Sequence, residues 1–226
     1  FAKFANAQPF RRIEKDFEQN GVAISEQNMA SWTIKCADRY LSRLFNYLHG
    51  LIVQRHVLQA DETTVEVTND GRKAGSKSYM WVYRTGKYDR ERPIVLYDYQ
   101  KTRNHEHPLK FLSEFRGYLV CDGFPGYKTL SRKTDGVEIA ECWAHVRRKF
   151  SDAVKASGAT GHRETSRIAS DALQMIAAIC HAEGKLQELS PKDRQRRRKI
   201  KVRPLVDAFF TWVHKTADRK STRLNS

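Results

Sequence analysis

Residues Gly117 to Phe150, GYLVCDGFPGYKTLSRKTDGVEIAECWAHVRRKF, leave few architectures open. The segment reads as an apolar strand, a turn, a short helix, a second strand and a basic helix. Strands joined through a helix run parallel in one sheet, since a crossover is what parallel pairing needs. The first of these strands ends in a carboxylate, Asp122, followed at once by Gly123. An apolar run that delivers an acid to its C-terminal tip keeps the charge out of the core. Glycine beside it lets backbone or ligand approach closely. A metal-dependent active site needs such an acid.

The remaining strands come earlier. Val57 to Val67 is one, with Asp61 and Glu62 in its middle; SYMWVYRTG and PIVLYDY follow. Asn69-Asp70-Gly71 reads as a turn and RKAGSKS as a loop, so these three strands form an antiparallel meander. A short helix, His107 to Phe115, leads into YLVCD, which is apolar enough to be central. The expected fold is α/β: a mixed five-stranded sheet flanked by helices.

Residues Phe4 to Ile52 have a helical pattern. Ser25 can cap a short helix and Ser31 can start a longer one, an outline shared by helix-turn-helix modules and by plain helical hairpins. After Trp143 to Ala156 come a helix from His162 to Glu183, a basic run from Arg194 to Lys201 with the reading of a solvated face or a DNA contact, and a last helix after Pro204. Asp218 to Ser226, DRKSTRLNS, has no apolar period and resembles a translated sequencing adapter. Coding is therefore expected to stop near Ala217. The chain starts inside a helical pattern with Phe1 rather than Met, so an N-terminal truncation is expected too. The expected divisions are 1–54 helical, with a possible DNA-binding role; 55–158 catalytic core; 159–217 helical insertion; and 218–226 a non-native tail.

Charge narrows the partners. Forty-one Lys and Arg against 26 Asp and Glu give a formal net charge of +15. That favours a polyanion, most simply nucleic acid. No apolar run has the length of a membrane span, and no signal peptide is visible in 1–20. Cys36, Cys121, Cys142 and Cys180 form no CxxC pair and read as a reduced, cytosolic set.

A carboxylate within a strand is costly unless it is paired or bound to a metal. Adjacent first and fourth strands would make Asp61 and Asp122 converge. Two converging acids repel until a divalent ion, Mg²⁺ or Mn²⁺, offsets them. Glu62 should point to the other face, in a structural or supporting role. Asp98 is the competing acid, but Tyr97 and Tyr99 beside it suggest an edge strand. Cys142 and His145 form C-x-x-H at a helix start; zinc would need a second pair, so His145 is better read as pointing into the active site or capping. Arg147, Arg148 and Lys149, with Arg196, Arg197 and Arg198, suit phosphate rather than base edges.

ADETTVEV, YMWVYRTG, IVLYDYQKTRNHEHPLKFL, GYLVCDGFPGY and CWAHVRRKF resemble, in order and spacing, the transposases of the insertion sequence 66 family, over about Phe4 to Ala217. The resemblance implies a ribonuclease-H-like fold and metal-dependent DNA cleavage and strand transfer by an acidic triad. Asp61 matches the family's first acid and Asp122 its second; Cys142-x-x-His145 is similar to a signature that follows the second acid. The third is a Glu in an Asn-Asn-x-Ala-Glu-Arg-like segment. No stretch here matches it, and Glu164, Glu183 and Glu188 stand in other contexts. A central fragment with two acids of three, of little or no activity by itself, is what the resemblance implies. In the intact protein it implies DNA partners (element ends and target), several copies of the chain, helper proteins and a cytoplasmic, nucleoid-associated location. Two alternatives remain: a basic DNA-binding module without chemistry, and a stand-alone ribonuclease-H-like nuclease.

Overall fold

Serine at position 25 starts the first long helical stretch. Its Oγ accepts the Asn28 N–H at 3.2 Å, filling one of the donors that a helix start leaves without a partner. The structure is a computed structural model and describes residues 1–67, 71–73, 75–89, 91–160 and 163–224; for 158–160, 163 and 219–224 it describes the backbone only. Helix α1 (Phe10–Gln19) follows Pro9, and Gly21 turns the chain at φ 75°. Helix α2 (Glu26–Cys36), a π-helical turn (Ala37–Leu41) and α3 (Ser42–Ile52) then run on without a break. Ser31 therefore starts no new helix. With the cap already at Ser25 and no Gly or Pro before Gly50, nothing stops the first helix there.

Strands β1 (Val57–Glu66), β2 (Lys77–Thr85) and β3 (Val95–Gln100) form the meander. Asn69 and Asp70 of the expected turn, and Ala74 of the loop after it, lie outside the described residues. Helix α4 (Glu106–Phe111), β4 (Gly117–Cys121), α5 (Pro125–Lys133) and β5 (Val137–Glu141) follow. The sheet order is β3-β2-β1-β4-β5, with β1 antiparallel to β2 and parallel to β4. The mixed five-stranded α/β sheet is as expected and is consistent with a ribonuclease-H-like fold. The expected central strand, β4, lies one in from the edge, and β1 takes the middle. Asp98 does sit on an edge strand, β3.

Alternation along β1 sorts the sheet's two faces. Leu58 and Ala60 are buried, and their partners across the ladder include Thr85, Tyr83 and Leu119. On this face Trp81, Tyr83, Phe111, Phe115, Tyr127 and Leu130 build the core. The Tyr83 and Phe111 rings stack at 3.8 Å. Gln59 and Asp61 belong to the other face, where Tyr97 and Tyr118 are exposed.

The chain divides into two compact units, 1–141 and 142–226. The second contains α6 (Trp143–Thr160), α7 (Arg163–Gly184), α8 (Pro191–Arg197), a π-helical turn (Arg198–Val202) and α9 (Arg203–Leu224). His162, expected to open α7, lies outside the described residues. Ile176, Ile179 and Phe209 form its core with Trp143 and Phe150. Arg194, in the basic run read as a solvated face or a DNA contact, is buried. Its guanidinium donates to the carbonyls of Leu186, Gln187 and Leu189 at 2.8–3.2 Å, closing the turns that follow α7.

Candidate active site

The site is set by how β4 enters the sheet. Gly117 has φ 141°, a region that side chains rarely adopt. Its N–H donates to the Gly136 carbonyl at 2.8 Å, and the next N–H, of Tyr118, donates to the His56 carbonyl at 2.9 Å. These two bonds attach β4 to both parallel neighbours at once. The register that results pairs Val57 with Tyr118, Leu58 with Leu119 and Gln59 with Val120. The ladder ends there, two residues before Asp61 on β1 and two before Asp122 on β4.

Asp61 accepts the Glu62 N–H on Oδ1 at 3.0 Å. Asp122, one residue past the end of β4, accepts the Phe124 N–H on Oδ1 at 2.9 Å. That bond fixes the turn into α5, where Pro125 occupies the first helical position. The other oxygen of Asp122 faces Arg103, whose Nη2 lies 3.5 Å away.

Arg103 is the residue that sequence reasoning missed. Its Nε donates to Glu62 Oε1 at 2.7 Å, and Nη2 closes on the same oxygen. Glu62 also accepts the Tyr127 hydroxyl at 2.9 Å. Its side chain is only 2% exposed, as its place on the face of Leu58 and Ala60 requires. Glu62 is thus on the opposite face from Asp61, as expected, yet it shares a guanidinium with Asp122. A signal was present: β3 runs parallel to β1, so the TRN that follows it emerges at the same sheet end as Asp61 and Asp122.

The electrostatics follow from burial. Desolvation pushes Glu62 above the usual glutamate range, more than the hydrogen bonds from Arg103 and Tyr127 bring it down. Burial pulls Arg103 down, but its pairing with Glu62 and Asp122 wins and leaves it raised. Burial and the neighbouring Glu62 carboxylate raise Tyr127 far above the ordinary phenol range, so it stays a donor. A carboxyl with a raised folded pKa stabilises the fold fully below its unfolded pKa. That contribution is lost as pH rises through the folded value. Glu62→Gln is therefore expected to flatten the fall in urea midpoint on going from acid towards neutral pH. Parallel profiles for the two proteins would assign the titration elsewhere.

The remaining predicted residues belong to the second unit. The Cys142 carbonyl accepts the N–H groups of His145 and Val146, so the pair opens α6. Arg147, Arg148 and Lys149 are exposed on that helix. Arg196 and Arg197 are exposed as well, whereas Arg198 is held in a bidentate pair with Glu183. Among the described residues no cluster of three or more His, Cys, Asp or Glu side chains could hold a metal ion. The acids offer two hard oxygen donors. Mg²⁺ commonly binds through one or two carboxylates and keeps several waters, so the donor chemistry fits it. No helix among the described residues is long and apolar enough to cross a membrane.

Comparison with known proteins matches the chain to a family model. The model of the Transposase IS66 family matches residues 1–225. The chain is 26% identical over 220 residues to the uncharacterized protein y4qI of Sinorhizobium fredii, covering 92% of this chain and 39% of that protein. It is 27% identical over 215 residues to the uncharacterized protein y4jD of the same organism, covering 91% of this chain and 40% of that protein. The chain therefore spans about two fifths of the length of these curated relatives.

Proposed function

This chain belongs to the Transposase IS66 family, and on that premise we propose that it carries part of a metal-dependent centre for DNA cleavage and strand transfer. Asp61 and Asp122 are the ligands of a Mg²⁺ or Mn²⁺ ion. The observation that supports this most is the β1–β4 register, which ends at Gln59 and Val120, two residues short of each acid. A divalent ion there supplies neutralisation of the charge that develops on a phosphodiester during in-line displacement. Asp122 is oriented for this by the Phe124 N–H. Glu62 and Tyr127 support the site from the buried face. Arg147, Arg148, Lys149, Arg196 and Arg197 are exposed cations suited to DNA phosphates. In the intact protein the DNA partners are element ends and target, handled by several copies of the chain and by helper proteins. The third acid of the family's pattern has no match in this sequence, so this chain by itself is expected to show little or no strand transfer.

Asp61→Asn and Asp122→Asn test the reading. Each should weaken Mg²⁺ or Mn²⁺ binding by roughly tenfold or more in calorimetric titration, since each removes a charged oxygen donor. Unchanged titrations of both variants would sink the metal site. The exposed cations and the charge of +15 favour a second reading, a DNA-binding module without chemistry. In that case DNA affinity falls steeply with salt and ignores both substitutions.

A further inference from the structure

Arg103 stands between two environments. On one side are Glu62 and Asp122. On the other is a cavity of about 530 Å³, lined by Arg103 itself with Thr102, Asn104, His105, Phe124, Gly126 and Thr129 among others. The two carboxylates hold it unequally. Glu62 is buried and bound twice, whereas Asp122 lies at 3.5 Å, the limit of a hydrogen bond. The guanidinium carbon lies 4.3 Å from the centre of the Phe124 ring, which also lines the cavity. The Arg103 side chain is 40% exposed, so it has room to turn. Glu62 keeps its bond from Tyr127 if Arg103 leaves. The cavity lining contains an arginine, an imidazole, an amide and two threonine hydroxyls, and no carboxylate. That inventory suits a phosphate, and the planar fork of arginine matches phosphate oxygens two at a time.

We propose that Arg103 is a two-position cation. It neutralises Glu62 and Asp122 while no divalent ion is bound. Once an ion binds at Asp122, Arg103 turns into the adjoining cavity and grips a phosphate of the DNA strand. Ion binding and DNA binding are thereby coupled through one side chain. This rests on the reading of Asp61 and Asp122 as ion ligands.

The test measures Mg²⁺ binding by calorimetry, and binding of a short labelled DNA duplex by anisotropy with and without Mg²⁺, on the whole 226-residue chain. Removing a competing positive charge should make Arg103→Gln bind Mg²⁺ roughly threefold to tenfold more tightly. The gain in DNA affinity that Mg²⁺ gives the parent should disappear in the same variant. Unchanged or weaker Mg²⁺ binding, or a retained gain, overturns the proposal: Arg103 would then only brace the two acids. If Arg103→Gln does not fold, Arg103→Lys decides, because it keeps the charge and loses the fork. It should lose the Mg²⁺-dependent gain; a lysine variant indistinguishable from the parent overturns the proposal. Asp122→Asn is run alongside. Weakened Mg²⁺ binding in that variant, with no change in Arg103→Gln, defeats the two-position cation alone. Unchanged binding in Asp122→Asn defeats this inference, which needs the ion at Asp122; unchanged binding in Asp61→Asn as well defeats the metal reading with it.

Discussion

Gly117→Ala is expected to destabilise the first unit by roughly 3 kcal/mol, placing it among the larger single-residue effects. Two independent costs combine. The backbone at 117 has φ 141°, which alanine adopts only under strain. A Cβ built there would also lie 2.3 Å from the His56 carbonyl oxygen. That oxygen belongs to backbone and already accepts the Tyr118 N–H, so it cannot swing aside as a flexible side chain would. Relief comes only by moving β4 away from β1. The same movement carries Asp122 away from Asp61, so ion affinity should fall in whatever fraction of the variant still folds. Urea denaturation followed by circular dichroism measures the first effect. A midpoint equal to that of the parent would show that Gly117 is not what fixes the register.

Trp81→Ala should cost about 3–5 kcal/mol, the range for emptying a large aromatic site in a core. Trp81 is fully buried, opposite Glu62 in the β1–β2 ladder, and its ring meets Tyr127 at 6.0 Å and Phe124 at 6.1 Å. Most domains are stable by only about 5–15 kcal/mol, so this one truncation consumes a large part of the margin. Trp81→Phe should cost much less. The indole N–H is buried and has no acceptor among the described residues. Phenylalanine removes that unsatisfied donor along with some volume, and the two effects oppose each other. Equal losses for Ala and Phe would show that ring volume does not govern the site.

The sequence made the architecture legible where a pattern is local. Alternation in β1, the apolar β4 and the helix between β4 and β5 were enough to place the meander and the crossovers. The positions of Asp61 within β1 and of Asp122 just past β4 follow from the same strand patterns. What escaped depends on contacts that no local pattern records. Arg103 reaches a partner 41 residues earlier and another 19 residues later. Gly117 carries no signal of its own until the His56 carbonyl is placed against it. Arg194 reads as one more charge in a basic run, although it is buried on three carbonyls. Ser31 was misplaced for a simpler reason: a serine can cap a helix only where the helix has an open end.

The setting of Trp81 also gives the molecule an optical label of its own. Of the four tryptophans, Trp32 is 56% exposed and Trp143 and Trp212 pack in the second unit. The fluorophore beneath the acids is thus the most shielded from solvent, and it lies against the ring of Phe124, whose amide Asp122 holds. A shift of that turn would alter the surroundings of this shielded indole, so tryptophan emission is expected to follow events at the carboxylates without an attached dye.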